Sequence, residues 1–406
     1  MPNWSHAIAQ PRTRELWWRG IPHRARPEVW KRALTNELGL TQNTYSKALA
    51  RAKAVEISAT KQDKSAEVPK EVTWLRAIRR DARSTLPALH LFQASQPLHD
   101  PLIDLLSAYA MYRSDIGYVY GTHLPAALLL LTLPTISDAF MALANFLNRP
   151  LPLAFLIGDA SGMARTYELI LNLLYLKRPH LHERLFGPAH EGNLALNPEE
   201  IFEPFIRTLF LNGCCDADDP LVPPTPMTAA AVKFSFPSFS FTLPTPRSPN
   251  MPVSPRTPST PGLSYRGSSR VSSSKGLSLP LVQRLWDVIV FDGDAAIIRA
   301  CVGILAAKES ALYGSRESVM EILGWNGSVR LGEDSGTFGG SGSLPNSAGS
   351  IDNSHNNDDH QQEEEAVERV MTTIRGIGKE ERRKSSGRQA SGSANGDSSP
   401  NGPMGE

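Results

Sequence analysis

Two short segments hold most of the side chains with which this sequence could do chemistry. The first reads IRRDARSTLP, from Ile78 to Pro87, and the second YRSDIGYVYGTH, from Tyr112 to His123. Asp81 has Arg83 and Arg113 as candidate ion-pair partners, with a structural pair the default for such residues. Ser84 offers a hydroxyl, and Tyr120 a phenol that can donate or accept one hydrogen bond or anchor an interface. Gly121 permits a tight backbone approach beside Tyr120. Elsewhere the candidates fail on spacing. His180 and His182 have no partner carboxylates in register and read as helix-surface histidines. Asp292-Gly293-Asp294 lacks the ligand spacing and distal glutamate of a calcium loop. It reads instead as a turn, with Asp294 capping the helix that follows. Cys214 and Cys215 are neighbours that do not easily bridge, and no C-x-x-C pair occurs. The sequence shows no Ser-His-Asp signature, Walker loop or dinucleotide glycine motif, so no intrinsic hydrolase chemistry, cofactor or metal is expected.

The elements that must position these residues read as helices. Leu102, Leu105, Leu106 and Tyr109 recur at i, i+3, i+4 and i+7, which gives one apolar stripe on a helix. Phe140, Leu143, Ala144 and Leu147 repeat the spacing, as do Val282, Leu285, Trp286 and Ile289, then Ile298, Cys301, Val302 and Leu305. No stretch alternates convincingly with period two, so the fold class is all-α. The most apolar run, Leu124 to Leu133, is bracketed by Pro125 and Pro134. It is too short for a membrane span, which needs about 20 residues, and suits a buried helix.

Charge is nearly balanced, with 42 Lys and Arg against 41 Asp and Glu, so no global field favours nucleic acid or an anionic membrane. The few cysteines fit a reducing compartment, and the N-terminus lacks the apolar core of a signal peptide. Residues 213–279 are rich in Pro, Ser and Thr, with too few clustered apolar residues to offset the entropy of ordering. They read as a disordered insertion between two helices, which costs little because closure entropy rises only logarithmically with length. Six Ser-Pro or Thr-Pro steps, from Thr225 to Thr260, make this insertion a candidate substrate for proline-directed kinases. A linker at 326–360 and a tail at 381–406 also read as disordered. Between them, 361–380 holds a helix with Val367, Val370, Met371 and Ile374 on one face, able to dock on the domain.

Five blocks of the chain, in order, resemble the TBC domain family, which accelerates GTP hydrolysis by Rab GTPases. The first is LWWRGIPHRARPEVW, from Leu16 to Trp30, like W-x-G-I-P-x-x-x-R-x-x-V-W. The two segments above follow, like I-x-x-D-x-x-R with T-x-P and like Y-x-Q-G. FLNRPLPLAFL (Phe146 to Leu156) and RLWDVIVFDGD (Arg284 to Asp294) complete the set, the latter like R-x-W-D-x-x-x-x-x-G. The resemblance covers residues 16 to about 325, with 1–15 as an N-terminal extension. It implies a fold of two helical lobes and a Rab-type GTPase in its GTP-bound form as partner. It also implies action in trans, with no active site of the chain's own, and recruitment from the cytoplasm to endomembranes by partners such as trafficking adaptors, without membrane insertion.

The resemblance locates the chemistry and removes its reagents. Active members supply an arginine that neutralises charge on the transferred phosphoryl group and a glutamine that positions the attacking water. Here Ser84 stands at the arginine position and Tyr120 at the glutamine position. Arg83, one residue early, is a shifted candidate; on a helix that residue turns it about 100° away. Asp81 matches the aspartate that orients the arginine, while Arg113, Asp115, Tyr118 and Gly121 match the segment that shapes the second finger loop. Two readings follow: an activator that uses Arg83, or a module that binds the GTPase or an adaptor without catalysis.

Overall fold

The computed structural model describes residues 4–61, 68–189, 192–212, 277–323 and 356–391. Among the described residues every regular element is a helix. In chain order these are α1 (Trp4–Ala9), α2 (Pro11–Arg19), α3 (Arg26–Ala33), α4 (Gln42–Lys61) and α5 (Lys70–Ala82). A 3-10 turn (Pro87–Leu89) leads to α6 (His99–Tyr112), α7 (His123–Thr132), α8 (Ile136–Leu147) and α9 (Pro150–Ile157). Next come α10 (Ala160–Lys177), α11 (Pro179–Phe186), α12 (Pro198–Arg207), α13 (Leu279–Asp292) and α14 (Asp294–Ala307). The last are α15 (Arg316–Ile322) and α16 (Asn356–Ser391). Proline starts α2, α9, α11 and α12, where its missing N–H costs nothing. Thr135 caps α8 by accepting from the Asp138 amide at 3.0 Å, and Asp159 caps α10 by accepting from that of Ser161 at 3.1 Å.

Three of the four apolar stripes lie wholly in the core, on α6, α8 and α13; on α14 only Ile298 is half-buried. The run from Leu124 is nearly all buried inside α7, as its bracketing prolines predict. No described helix is long and apolar enough to cross a membrane by itself. Packing sorts the helices into two sets. Helices α4 to α8 pack chiefly on one another, while α13 packs on α2, α3, α14 and α16, and α10 on α9, α11, α12 and α14. The α8–α9 pair joins the sets.

Two of the sequence blocks meet at one buried carboxylate. Asp287 of α13 is fully buried, and its oxygens accept from Arg26 Nε at 2.9 Å and Nη2 at 3.0 Å. They also accept from the Trp30 indole at 2.7 Å and the Ile21 amide at 3.0 Å. A charge out of water persists only when paired and hydrogen-bonded, and here every donor comes from the Leu16 to Trp30 block. Trp30 then stacks on Trp286, and Trp286 on Phe146 of α8, which carries the clasp into the core.

Two local expectations give way. Asp294 does not cap its own helix; Gly293 holds that position with φ +71°. The Asp294 carboxylate instead accepts from the Leu151 amide at 2.9 Å, so it serves the start of α9. Of the two histidines read as surface residues, His180 is exposed, whereas His182 is half-buried against the rings of Tyr175 and Phe186, and burial lowers its pKa.

Helix α16 begins before and ends after the 361–380 segment. Val367, Met371, Ile374 and Ile377 are buried, chiefly against α14. Gly303 of α14 allows that approach, since a Cβ there would sit 2.2 Å from Ile374 Cγ1. Ion pairs of Arg284 with Glu368 at 3.1 Å and of Arg375 with Glu15 hold its edges. The Ser-Pro and Thr-Pro steps of the insertion fall at 213–276, outside the described residues.

Candidate functional site

The site is built on the last turn of α5. Val72, Leu75, Ile78 and Ala82 are buried and face the core, and Asp81 lies three residues after Ile78 on the same side. The spacing that buries the stripe therefore buries a carboxylate, which must find donors. One residue before Pro87 the backbone has left the right-handed helical region, and Leu86 is left-handed with φ +41°. The helix ends just ahead of that point. Ser84 Oγ and Thr85 Oγ1 donate to the Asp81 carbonyl at 3.1 and 2.9 Å, so the hydroxyl at the arginine position closes its own helix end.

The second segment reaches Asp81 because of a glycine. Gly117 has φ +76°, and a Cβ there would lie 2.2 Å from Trp74 Cε2 of α5, so no other residue lets this loop pass so close. One residue later Tyr118 donates its hydroxyl to Asp81 Oδ2 at 2.9 Å. The Tyr118 hydroxyl oxygen also lies 3.2 Å from His123 Nδ1, which suits a neutral imidazole donating from Nδ1. Burial, with the Asp81 charge and hydrogen bond, drives the Tyr118 phenol well above its ordinary range. Gly121, at φ +98°, brings the loop against Arg207 and Thr208 at the end of α12, where the two sets of helices face each other.

Asp81 pairs with neither of the arginines anticipated for it. Its Oδ1 accepts from Arg80 Nε at 2.8 Å. Arg113 is taken by Asp115, with contacts of 3.0 Å from Nε and 2.9 Å from Nη2, and by Asn148 at 3.3 Å. That pair holds the Asp115 carboxyl below its usual range. Arg83 lines a cavity of about 470 Å³ among α4, α5 and α6, with Lys53, Glu56, His99 and Asp104. The one-residue shift thus turns Arg83 toward a different pocket, as helical rotation dictates. Tyr120 is exposed and packs its ring 5.3 Å from that of His123. The residues brought together are therefore Asp81, Tyr118, Tyr120 and His123, with Arg80 added. Sequence spacing overlooked Arg80 and His123; the only signal was their place inside the two quoted strings. No group of His, Cys, Asp and Glu able to hold a metal occurs among the described residues.

A family model for the Rab-GTPase-TBC domain matches residues 23–214. The chain carries a TBC domain of the Rab-GAP type. This TBC chain is 30% identical over 319 residues to TBC1 domain family member 12 of Xenopus tropicalis, a match covering 77% of the chain and 36% of that protein. It is 41% identical over 172 residues to the Rattus norvegicus protein of the same name, covering 41% of the chain and 25% of the relative. The chain therefore spans well under half the length of these relatives. The solved Ypt/Rab-GAP domain of Gyp1p shares the fold, with TM-score 0.51 and 12% identity over 92% of this chain and 95% of that one.

His123 carries a pH signature. Burial lowers its pKa from 6.5 to about 4, opposed by the Asp81 charge, which raises it, and aided by that of Arg80. Above 6.5 the ring is neutral folded or unfolded, and its contribution is complete. Between 6.5 and about 4 the unfolded chain takes up a proton that the fold refuses, so stability falls as pH falls. The loss reaches roughly 3 kcal/mol. Urea unfolding of wild type and His123→Gln at pH 7 and pH 4.5 should show the larger drop in wild type; equal drops would remove His123 as the cause.

Proposed function

We propose that this TBC domain binds a Rab-type small GTPase in its GTP-bound form and holds it without strong acceleration of hydrolysis. The observation that carries the reading is the state of the two finger positions. Ser84 has neither charge nor reach, and its hydroxyl is spent on the Asp81 carbonyl. Tyr120 presents a rigid phenol where an amide would order water. An arginine supplied to the transferred phosphoryl group is typically worth roughly 10³–10⁵-fold in rate, and no hydroxyl replaces its delocalised charge. The docking face itself is formed: Asp81, Tyr118 and His123 lock the two loops together, and Tyr120 projects as an exposed aromatic anchor.

The competing reading, an activator using Arg83, loses support because Arg83 lines the α4–α6 cavity. The proposed setting is the cytoplasmic face of endomembranes in vesicle trafficking, reached through the bound GTPase or an adaptor. Binding to a panel of Rab-type GTPases loaded with a non-hydrolysable GTP analogue or with GDP tests the reading. Preference for the GTP state, weakened by Tyr120→Glu, is the expected result. Binding that ignores both the nucleotide and Tyr120 would place the partner elsewhere.

A further inference from the structure

We infer that Arg80, rather than Arg83 or the residue at position 84, is the guanidinium this face offers to the terminal phosphoryl group of a bound GTPase. The inference rests on the proposed GTPase-binding reading and adds the residue that senses the nucleotide's charge. Arg80 and Ser84 are four residues apart, which on a helix separates them by only about 40°. The turn after α5 winds on in the same sense but more tightly, with the Ser84 amide donating to the Asp81 carbonyl at 3.2 Å. Arg80 therefore leaves the helix on the face from which a side chain at 84 would leave, one turn earlier.

The guanidinium is anchored as well as present. Its Nε donates to Asp81 Oδ1 at 2.8 Å, while the other Asp81 oxygen is fixed by Tyr118 and, through it, His123. A buried carboxylate held on one side thus orients a cation on the other, and the orientation is in place before a partner arrives. The side chain stays 73% exposed. Through Asp81 the guanidinium is tied to Tyr118, two residues from the aligned glutamine position. The neighbouring arginines are otherwise placed: Arg79 is bound to Glu56 at 2.6 Å, and Arg83 shares its cavity with Glu56, Asp100 and Asp104.

In the hydrolysis a water oxygen bonds to the terminal phosphorus as the bond to the bridging oxygen breaks, giving GDP and inorganic phosphate, with the water's proton carried off on the phosphate. Arg80 exchanges no atom; it meets the negative charge on the phosphoryl oxygens. Because Tyr120 does not order the water, that contact appears more in affinity for a charged transition-state mimic than in rate.

The test is binding of the full chain to the same GTPase panel loaded with GDP, with and without aluminium fluoride. Aluminium fluoride should tighten wild-type binding about tenfold or more, as one charge-assisted hydrogen bond would. Arg80→Ala and Arg80→Gln should lose that increment, Arg80→Lys should keep part of it, and Arg83→Ala should leave it intact. An unchanged thermal melt of each variant shows that the exposed substitution has not harmed the fold. An increment that survives in Arg80→Ala, or disappears in Arg83→Ala, overturns the inference. So does a wild type that binds the GTP-analogue state but shows no increment, and that outcome leaves the binding reading standing. A wild type that binds no member of the panel in any state overturns both.

Discussion

Asp287→Ala should unfold at markedly lower urea concentration than wild type, with a loss of about 3–5 kcal/mol. The substitution leaves the buried Arg26 guanidinium without its counter-charge and strips acceptors from the Trp30 indole and the Ile21 amide. Few single changes do more, because an uncompensated buried charge cannot reach water without opening the structure around it. Against a typical total of about 5–15 kcal/mol, that is a large share of the fold's stability. The paired change Arg26→Met with Asp287→Leu should recover part of the loss, since both charges leave together. A cost below about 1 kcal/mol for Asp287→Ala would mean that water reaches the clasp. Equilibrium urea unfolding at neutral pH measures all three proteins.

Restoring both finger residues should have the largest effect on activity. Ser84→Arg places a guanidinium at the exposed end of α5, and Tyr120→Gln places an amide on a loop already fixed by Gly117, Tyr118 and Gly121. The scaffold needs no rebuilding: the Tyr118–Asp81 bond that joins the two loops involves neither substituted side chain. Single-turnover hydrolysis on a GTPase that the wild type binds should rise by about 10³-fold or more with the double variant. In an Arg80→Ala background, Ser84→Arg should contribute more than it does beside Arg80. If the double variant binds but stays at the wild-type rate, the finger positions are not what limits this domain.

The helices were legible because burial imposes a period. Four apolar stripes, read from i, i+3, i+4, i+7 spacing, fall on α6, α8, α13 and α14, and all but Ile298 are fully buried. The all-α class and the family assignment stand on that periodicity and on five ordered blocks, the second supported by the match over residues 23–214. Partners across space were not legible. Asp287 and Arg26 are 261 residues apart, and nothing in either block announces that a single carboxylate satisfies Arg26, Trp30 and Ile21 together.

The same limit applies at the site. Sequence spacing offered Arg83 and Arg113 to Asp81, whereas side-chain direction gave it Arg80 and Tyr118. A one-residue difference along α5 decides between the finger face and the α4–α6 cavity, and only backbone rotation resolves it. Asp294 shows a related limit: its position suggests a cap for the next helix, but its carboxylate accepts from the Leu151 amide at the start of α9.

The central claim is that this TBC domain holds its GTPase while lacking the groups for fast hydrolysis. The most direct measurement is single-turnover GTP hydrolysis by a bound Rab-type GTPase as wild-type domain is titrated to saturation, with binding followed in the same samples. Saturable binding with a rate that stays within about tenfold of the GTPase alone is predicted, far short of the effect of an arginine at position 84 acting with a water-ordering glutamine. Acceleration of about 10³-fold or more at saturation, with nothing further gained from Ser84→Arg and Tyr120→Gln, would contradict it.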